Sequence, residues 1–490
     1  MPGVVVKTAP RGGSGAPLVA PSGTWFVAGI TERGDTTAPI ELRGPSDYTR
    51  LCGDPTGYDT LSDQITTFFK EGGARVYVAR LVGPGATVGS LTLVDRAGSP
   101  LSTLRVDAAS PGSWSSRLTV AVADGSDPGT FRLTVLLDGN AVEDKDNLVS
   151  PAAAAAAFAS SVYVRVTDLG SATAAPNNIP AILPATAMTT QGSDDRASIV
   201  DAVRTGALAR FPASLGDGAV SIPGSSSQAV YDGIRQHCED TNRVGILAAA
   251  RGTTAATLTS TAEEFAGVLG AEFCALYAPW ILVPNGAGGT KAISPEGFVA
   301  ACRNRAHEQV GPWRIAAGDI AAARYVDDLD APFDDATADD LDATRVNVLR
   351  LIGGVPTVYG GRSLSSDETD YYWLKNRDLL NYISVEGAAL LRSRVFHNID
   401  SRGHLLNDLK QEMVGFLEPI RLADGLFEKP DPNSPGSFLD PGYSVDVGEA
   451  VNPVSSLQQQ KASVQVSVRP TPGASLIELS IIEVALTAAV

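Results

Sequence analysis

Val464, Val466 and Val468 alternate with Ser463, Gln465 and Ser467 in the segment Lys461–Arg469. A period of two makes a strand with one apolar face. Pro470, Pro472 and Gly473 interrupt it, and a second run rich in strand formers, Leu476–Leu486, follows. Strands near a chain end must pair with an edge of their own domain or, where none is free, with another molecule. The fold must therefore hold a sheet that receives one of these segments. Leu476–Leu486, the longer and more apolar, is expected in the home core. Ala462–Val468 is expected as its hairpin partner or as a shared edge.

A chain of 490 residues exceeds one ordinary core, so two or three domains are expected. Its 44% hydrophobic and 19% charged residues place it among globular rather than disordered chains. A net charge of −17 works against wrapping nucleic acid or an anionic membrane, so neither is expected as a partner. Met1-Pro-Gly-Val-Val-Val-Lys7 lacks the basic start and long apolar run of a secretion signal. No unbroken run of about 18 apolar residues predicts a membrane span. Cys52, Cys238, Cys274 and Cys302 lie far apart with no C-x-x-C pair. They read as buried, reduced thiols of a chain made in a cytoplasm.

In chain order, Val4-Val5-Val6 is a short strand before a Gly/Pro-rich stretch with Gly12, Gly13 and Gly15, so residues 1–24 read as an extended arm. Trp25–Ile30 is a buried strand. Leu61, Ile65, Phe68 and Phe69 mark one face of a helix over 60–70, stopped by Gly72-Gly73 before a strand over 74–82. Residues 86–195 change texture. Strands at 91–94, 101–106, 117–122 and 131–137 are split by Gly, Pro and Asp turns. One helix interrupts them, capped by Ser150 with Pro151 at its first position. This block reads as an exposed, separable β-rich insert.

Residues 196–344 return to α/β alternation. Helices are expected on the Val230/Ile234/Cys238 face, over 261–271 and from Ser294-Pro295-Glu296. Strands are expected over 243–248, 273–283 and 313–317. From 345 the chain reads as a C-terminal domain. Two apolar runs come first, over 345–352 and 353–362. A helix over 367–394, opened by a Ser365/Glu368 capping box, follows. A second helix has Leu405, Leu409, Met413 and Leu417 on one face, and strands run from Tyr443. The expected fold class is an α/β (α+β) core of 25–85 and 196–344, a β-rich insert of 86–195, and a C-terminal α/β domain of 345–490 that ends in an arm.

Sites for chemistry fail on spacing. Asn285-Gly-Ala-Gly-Gly-Thr-Lys291 lacks the Gly-x4-Gly-Lys-Ser/Thr order that lets backbone N–H groups surround a phosphate, and reads as a surface turn. His307-Glu308 has no histidine four residues on. His397 and His404 flank Asp400 and read as solvated polar residues at a helix junction, with a two-histidine metal site as the alternative. The acidic run 327–342 lacks EF-hand spacing and reads as a solvated loop or a contact for a basic surface, with a loose Ca²⁺ site as the alternative. Gly224-Ser-Ser-Ser227 has no second glycine for a nucleophile elbow. No cofactor, metal or catalytic residue is expected.

Several stretches, in this order, resemble the tail sheath proteins of contractile phages and related injection machines. Pro2-Gly3-Val4 resembles the family's N-terminal arm. The most specific match is Gly53-Asp-Pro-Thr-Gly-Tyr58 followed by Phe68-Phe-Lys-Glu-Gly-Gly-Ala-Arg-Val-Tyr-Val-Ala-Arg80. Ser110-Pro-Gly-Ser-Trp114 resembles an S-P-G-x-W turn, although Ser115-Ser116 stands where glycine and asparagine are usual. Ala275-Leu-Tyr-Ala-Pro-Trp280 resembles an A-L-Y-x-P-W strand. Val346-Asn347 with Tyr359-Gly-Gly-Arg-Ser-Leu364 resembles V-N…W-G-x-R-T-L, Tyr359 and Ser363 being substitutions. Val395-Phe-His-Asn398 completes the series.

The resemblance implies a mechanical role. Such chains stack as homo-oligomeric rings in a helical sheath around an inner tube protein, between baseplate and tail-terminator proteins, and contract to drive the tube through an envelope. They assemble in the bacterial cytoplasm into a phage tail or injection particle. Their terminal strands add to a neighbouring subunit's sheet. That casts Val4, Val5, Val6, Val464, Val466 and Val468 as inter-subunit strands, and Gly12, Gly13, Gly15, Pro470 and Gly473 as hinges. The receiving sheet would come from the strands of 345–360 and 443–486. Lys375, Arg377, Arg392 and Arg394 are candidates to face an acidic tube. Phage, bacteriocin and injection device stay open as settings. The competing expectation is a soluble α/β enzyme or ligand-binding protein with 86–195 as a lid.

Overall fold

The computed structural model describes residues 22–286, 288–369, 372–434 and 436–474. These divide by packing into two units, residues 22–308 with 316–377 and residues 309–315 with 378–474.

The larger unit opens with β1 (Trp25–Ile30), β2 (Ile40–Leu42), α1 (Pro45–Cys52), α2 (Leu61–Lys70) and β3 (Val76–Leu81). The insert follows as β4 (Ser90–Val94), β5 (Ser102–Ala108), β6 (Leu118–Asp124), β7 (Phe131–Leu137), β8 (Asn140–Leu148), α3 (Pro151–Ala157), β9 (Val164–Asp168) and β10 (Leu183–Ala187). The chain returns through α4 (Asp201–Gly206), β11 (Ala219–Ser221), α5 (Gln228–Thr241), β12 (Val244–Ala248), α6 (Ala255–Glu263) and β13 (Cys274–Ala278). β14 (Trp280–Pro284), β15 (Thr290–Ile293), α7 (Glu296–Gln309), β16 (Asp328–Asp330), α8 (Asp335–Ala343), β17 (Val346–Ile352) and β18 (Val355–Val358) complete it.

Eight of these strands form one sheet in the order β18-β17-β13-β12-β11-β1-β3-β2. Its inner neighbours are parallel, and the edge strands β2 and β18 run antiparallel. β1 sends Trp25 and Val27 to one face, Phe26 and Ala28 to the other, and both faces are buried. Burial on both sides is why β1 and β13 read as unbroken apolar runs. Residues of α1, α2 and α7 cover the first face, and those of α5, α6 and α8 the second. This is a doubly wound sheet.

The insert has a core of its own around Trp114, Phe131 and Phe158, between the sheets β4-β5-β9 and β10-β6-β7-β8. Its helix starts as expected, with Ser150 Oγ accepting from the Ala153 N–H. The strands β8, β9 and β10 were not among those expected.

The smaller unit contains α9 (Leu374–Leu391) from Asp378 on, α10 (His404–Leu422), β19 (Lys429–Pro430), β20 (Phe438–Asp440), β21 (Tyr443–Asp446), α11 (Val454–Gln458) and β22 (Gln465–Val468). Leu379, Ile383, Met413, Phe416, Leu417, Ile420, Leu426, Val445 and Val466 form its core. Leu405, Leu409, Met413 and Leu417 share the buried face of α10, as their spacing predicts.

Several expectations are corrected. The helix expected over 261–271 lies at Ala255–Glu263, capped by the Thr254 side chain, with Gly267 and Gly270 at positive φ beyond it. The strand over 273–283 is two strands in two sheets, because Pro279 has no N–H to continue the ladder. Residues 313–317 are turn and bend, where Arg314 N–H bonds Gly311 O at 3.1 Å. Ser365 closes a turn by accepting from the Asp367 N–H at 3.1 Å, and the helix begins only at Leu374. The strands of 345–360 are β17 and β18 of the eight-stranded sheet, so they do not join those after 443 in one sheet, and a boundary at 345 falls inside the larger unit.

Candidate assembly surface

β21 and β22 pair antiparallel with Tyr443 opposite Val468, Val445 opposite Val466 and Asp446 opposite Gln465. Val445 and Val466 share the face buried on the helices of the smaller unit, with Val464 and Val468 half-buried beside them. Ser444, Asp446, Gln465 and Ser467 are exposed. The strands are separated by a long connection, which Asn452 gathers. Its buried side chain donates to Val447 O at 3.0 Å and Ser463 O at 2.7 Å and accepts from Ser463 N–H at 2.6 Å. Gln465–Val468 of the expected strand pairs with β21, and Leu476–Leu486, its expected hairpin partner, lies outside the described residues. Among the described residues this sheet is two strands wide.

Polar contacts hold the ends of the pair. Tyr443 Oη donates to Glu418 Oε2 at 2.9 Å, and burial with this carboxylate pushes the phenol up to about 12. Arg469 spans Asp440 at 2.9 and 3.2 Å. Pro470 is bridged to Leu426, and Thr471 N–H reaches Gly425 O at 3.3 Å. Of the two expected C-terminal hinge points, Pro470 is therefore tied to its own unit, and Gly473 lies exposed beyond the ties. Val4, Val5, Val6, Gly12, Gly13 and Gly15 lie outside the described residues.

The four basic candidates separate. Lys375 and Arg377 are buried, with the Arg377 guanidinium 4.4 Å from the centre of the Phe273 ring. Burial lowers the Lys375 ammonium to about 8. Arg394 pairs with Glu412 at 2.7 Å from Nε, and Arg392 is exposed.

The remaining candidates for chemistry resolve into structure. Between β14 and β15 the Asn285 N–H bonds Gly289 O at 2.9 Å, and Lys291, within β15, bonds Asp63 through Nζ at 2.6 Å. Asp330, Asp339 and Asp342 of the acidic run bond Arg251, Arg350 and Arg362 of the same chain. The four cysteines are buried and free. Among the described residues no group of three metal-ligating side chains occurs, and no helix is long and apolar enough to cross a membrane.

The motif stretches fold into buried joints that composition does not reveal. Arg80 is fully buried and donates to five oxygens: Thr31 O (3.1 Å), Glu32 O (2.8 Å), Gly34 O (3.3 Å), Pro111 O (2.8 Å) and Asp194 Oδ1 (2.9 Å). It thereby ties the sheet to the insert's S-P-G turn and to its exit at Asp194. Gly53 has φ 89°, and a Cβ there would lie 2.2 Å from Glu32 Oε2, so only glycine fits the turn after α1. Asn347 donates to Leu276 O at 3.2 Å and Arg362 O at 2.8 Å and accepts from Arg362 N–H at 2.7 Å, joining two motif stretches across adjacent strands. The clue was a polar residue inside an apolar strand.

No family model and no curated protein matches the chain. Solved structures do. The sheath tail protein Lin1278 from Listeria innocua matches with a TM-score of 0.60, at 14% identity, over 91% of this chain and 90% of its own. The anti-feeding prophage (AFP) helical sheath in its contracted state matches at 0.55 and 15% identity, over 98% of this chain and 99% of its own. The sheath complex of PVC, an extracellular contractile injection system, also in its contracted state, matches at 0.56 and 12% identity over 99% and 97%. At such identities the likeness is one of fold, and it runs from end to end.

Proposed function

We propose that this chain is the structural subunit of a contractile sheath. The observation that carries the reading is the end-to-end match to the AFP helical sheath, 98% of one chain against 99% of the other. Copies stack as rings around an inner tube protein, between baseplate and terminator proteins, and the assembled particle is where the protein works. A self-contact that does not close on itself builds a helical filament. An extended filament above a lower-energy contracted one is held by a kinetic barrier. Once released at one end, each ring biases the next.

The continuity between rings resides in strands. Val4–Val6 of one copy, and the C-terminal segment of another, add to the β21–β22 pair, which among the described residues is two strands wide. Backbone hydrogen bonds supply strength, and the Val/Ser alternation sets register. Gly12, Gly13 and Gly15, with Gly473 after the Pro470 tie, give the arms freedom to rotate. Its exposure makes Arg392 our candidate among the four basic residues to meet an acidic tube.

Purified full-length protein is expected to give tubes in negative-stain images and a large scattering mass. Deleting residues 1–20, or those after Leu476, is expected to leave a folded protein that forms none. Normal tubes from either truncation, or a stable full-length monomer, overturn the reading.

A further inference from the structure

The stretch Val395-Phe-His-Asn398 lies in the loop between α9 and α10, and Phe396 is the outlier in it. Its side chain is 80% exposed, and its backbone sits at φ 72°. A bulky residue rarely adopts that left-handed conformation. Strain of this kind persists where the surroundings impose it, and it gathers at functional sites. Here the surroundings do impose it. Val395 N–H bonds Arg392 O at 3.3 Å, and His397 N–H bonds Arg394 O at 3.2 Å. Asp400 then accepts from the N–H groups of Arg402 (2.9 Å), His404 (3.2 Å) and Leu405 (3.2 Å). The nearby carboxylates are committed, Asp400 to those N–H groups and Glu412 and Asp408 to Arg394. Arg402 is exposed and has no ion pair among the described residues. The loop is an outward-held ring beside a free cation.

A complementary surface lies at the β17–β18 hairpin. Ile352 and Val355 face each other in the last register pair before its turn. Alternation puts Ile352 on the same side as Val346, Val348 and Arg350. That side is covered by α8, whose Ala338 and Leu341 share a core with Val346 and Val348. Arg350 bonds Asp339 at 2.6 Å, and its guanidinium lies 5.2 Å from the centre of the Tyr359 ring. Ile352, Val355 and Tyr359 are exposed. Beside them α8 and its cap expose Asp334, Asp335, Asp339 and Asp340, several carboxylates against the single Arg350 guanidinium. An exposed apolar patch with a charged rim is the mark of an interaction surface.

We propose that Phe396 of one copy docks on the Ile352, Val355 and Tyr359 patch of another copy, with Arg402 against the carboxylates of α8. The contact rests on the sheath reading and adds a junction of side chains to its junction of strands. Charge selects a second copy as the occupant. The chain carries 55 acidic and 38 basic residues, and the free cation of the loop meets the acidic side of the hairpin. A buried aromatic anchor with a polar surround is where the binding energy of such a contact concentrates. The two surfaces are different parts of one chain. The contact is therefore heterologous, and each added copy presents a fresh knob and a fresh patch.

The test is assembly of the purified full chain, in which no tube protein is present. F396N puts at this φ a residue that tolerates it. Its urea midpoint is expected at or above that of the wild type, and the concentration needed for tubes is expected to rise about tenfold. Chains carrying F396C and chains carrying V355C are then mixed at a concentration that gives tubes. Diamide is expected to give a covalent dimer that neither variant gives alone, since the native cysteines are buried. Tubes from F396N at the wild-type concentration overturn the contact, and so does absence of the mixed dimer. A loss of tubes seen only when an inner tube protein is added would put Phe396 on the tube and also overturns it. If F396N lowers the urea midpoint, the mixed dimer alone decides. A wild type that stays monomeric fails the sheath reading and the contact together, whereas wild-type tubes without the mixed dimer fail the contact alone.

Discussion

The eight-stranded sheet of the larger unit and the two-stranded sheet of the smaller one treat their edges in opposite ways. The large sheet ends on one side in β2, three residues long. On the other it ends in β18, which contains Pro356 and is met by a bridge between Ala322 and Thr357. Short edge strands, proline and covering loops are the devices that stop a sheet from recruiting another chain. β21 and β22 are as short as β18, and a bridge from Leu426 to Pro470 meets the pair just past β22, but neither strand contains a proline and both carry valine on a buried face. A hairpin this small is marginal alone and rests on its helices. Among the described residues one sheet is finished at both edges, and the other is two strands wide and left unfinished. On the sheath reading, that division separates the part that keeps its shape from the part that joins copies.

Breaking the finished region is expected to have the largest effect on stability. Arg80→Leu removes a guanidinium shared by five oxygens and leaves Asp194, 7% exposed, without its buried partner. A loss of about 3–5 kcal/mol in urea unfolding is expected. A loss below about 1 kcal/mol would show that the insert joint is not what holds the larger unit. Asn452→Ala comes next, in the unfinished region. It leaves the Val447 and Ser463 backbone groups without their shared side chain and is expected to cost about 1–3 kcal/mol, with faster exchange at Ser463. Unchanged exchange there would mean the β21–β22 register does not depend on this staple.

What the sequence disclosed and what it hid follow the same physics. Leu61/Ile65/Phe68 and Leu405/Leu409/Met413/Leu417 were legible because a helix packing on one face repeats its burial every turn. The period-two valines at 464–468 were legible for the analogous reason. β8 was not, because an exposed edge strand such as Val142-Glu-Asp-Lys-Asp146 has no apolar alternation to betray it. The membership of β17 and β18 was hidden because parallel partners are distant in sequence: β17 pairs with β13, some seventy residues earlier. Arg80 and Asn347 looked like surface residues by type. Their only signal was position, a charge or amide inside a run that is otherwise apolar.

The surface ion pair at the end of β22 sharpens the comparison at smaller scale. Arg469 and Asp440 are 46% and 37% exposed, so solvent screens their attraction. Arg469→Ala is expected to lower stability by no more than about 1 kcal/mol. A loss near that of Arg80→Leu would mean that the end of the strand pair is as constrained as the large sheet, and the contrast between the two would fail.

The smallest expected effect on the fold is also the most direct test of the open sheet. Ser467 is exposed on β22, opposite Ser444, and neither side chain enters the core. Ser467→Lys therefore touches no buried contact, and monomer stability is expected to stay within about 0.5 kcal/mol of the wild type. On an edge strand a lysine deters further pairing, because its ammonium must stay hydrated beside any incoming strand. Tubes in negative-stain images should accordingly become shorter or fewer, whereas Ser467→Thr, which favours a strand and adds no charge, should leave them normal. Stability unchanged and tubes lost would place the joining strand on this pair. Normal tubes with lysine at 467 would move the junction elsewhere in the chain, and the two-stranded sheet would then need another reason for being left unfinished.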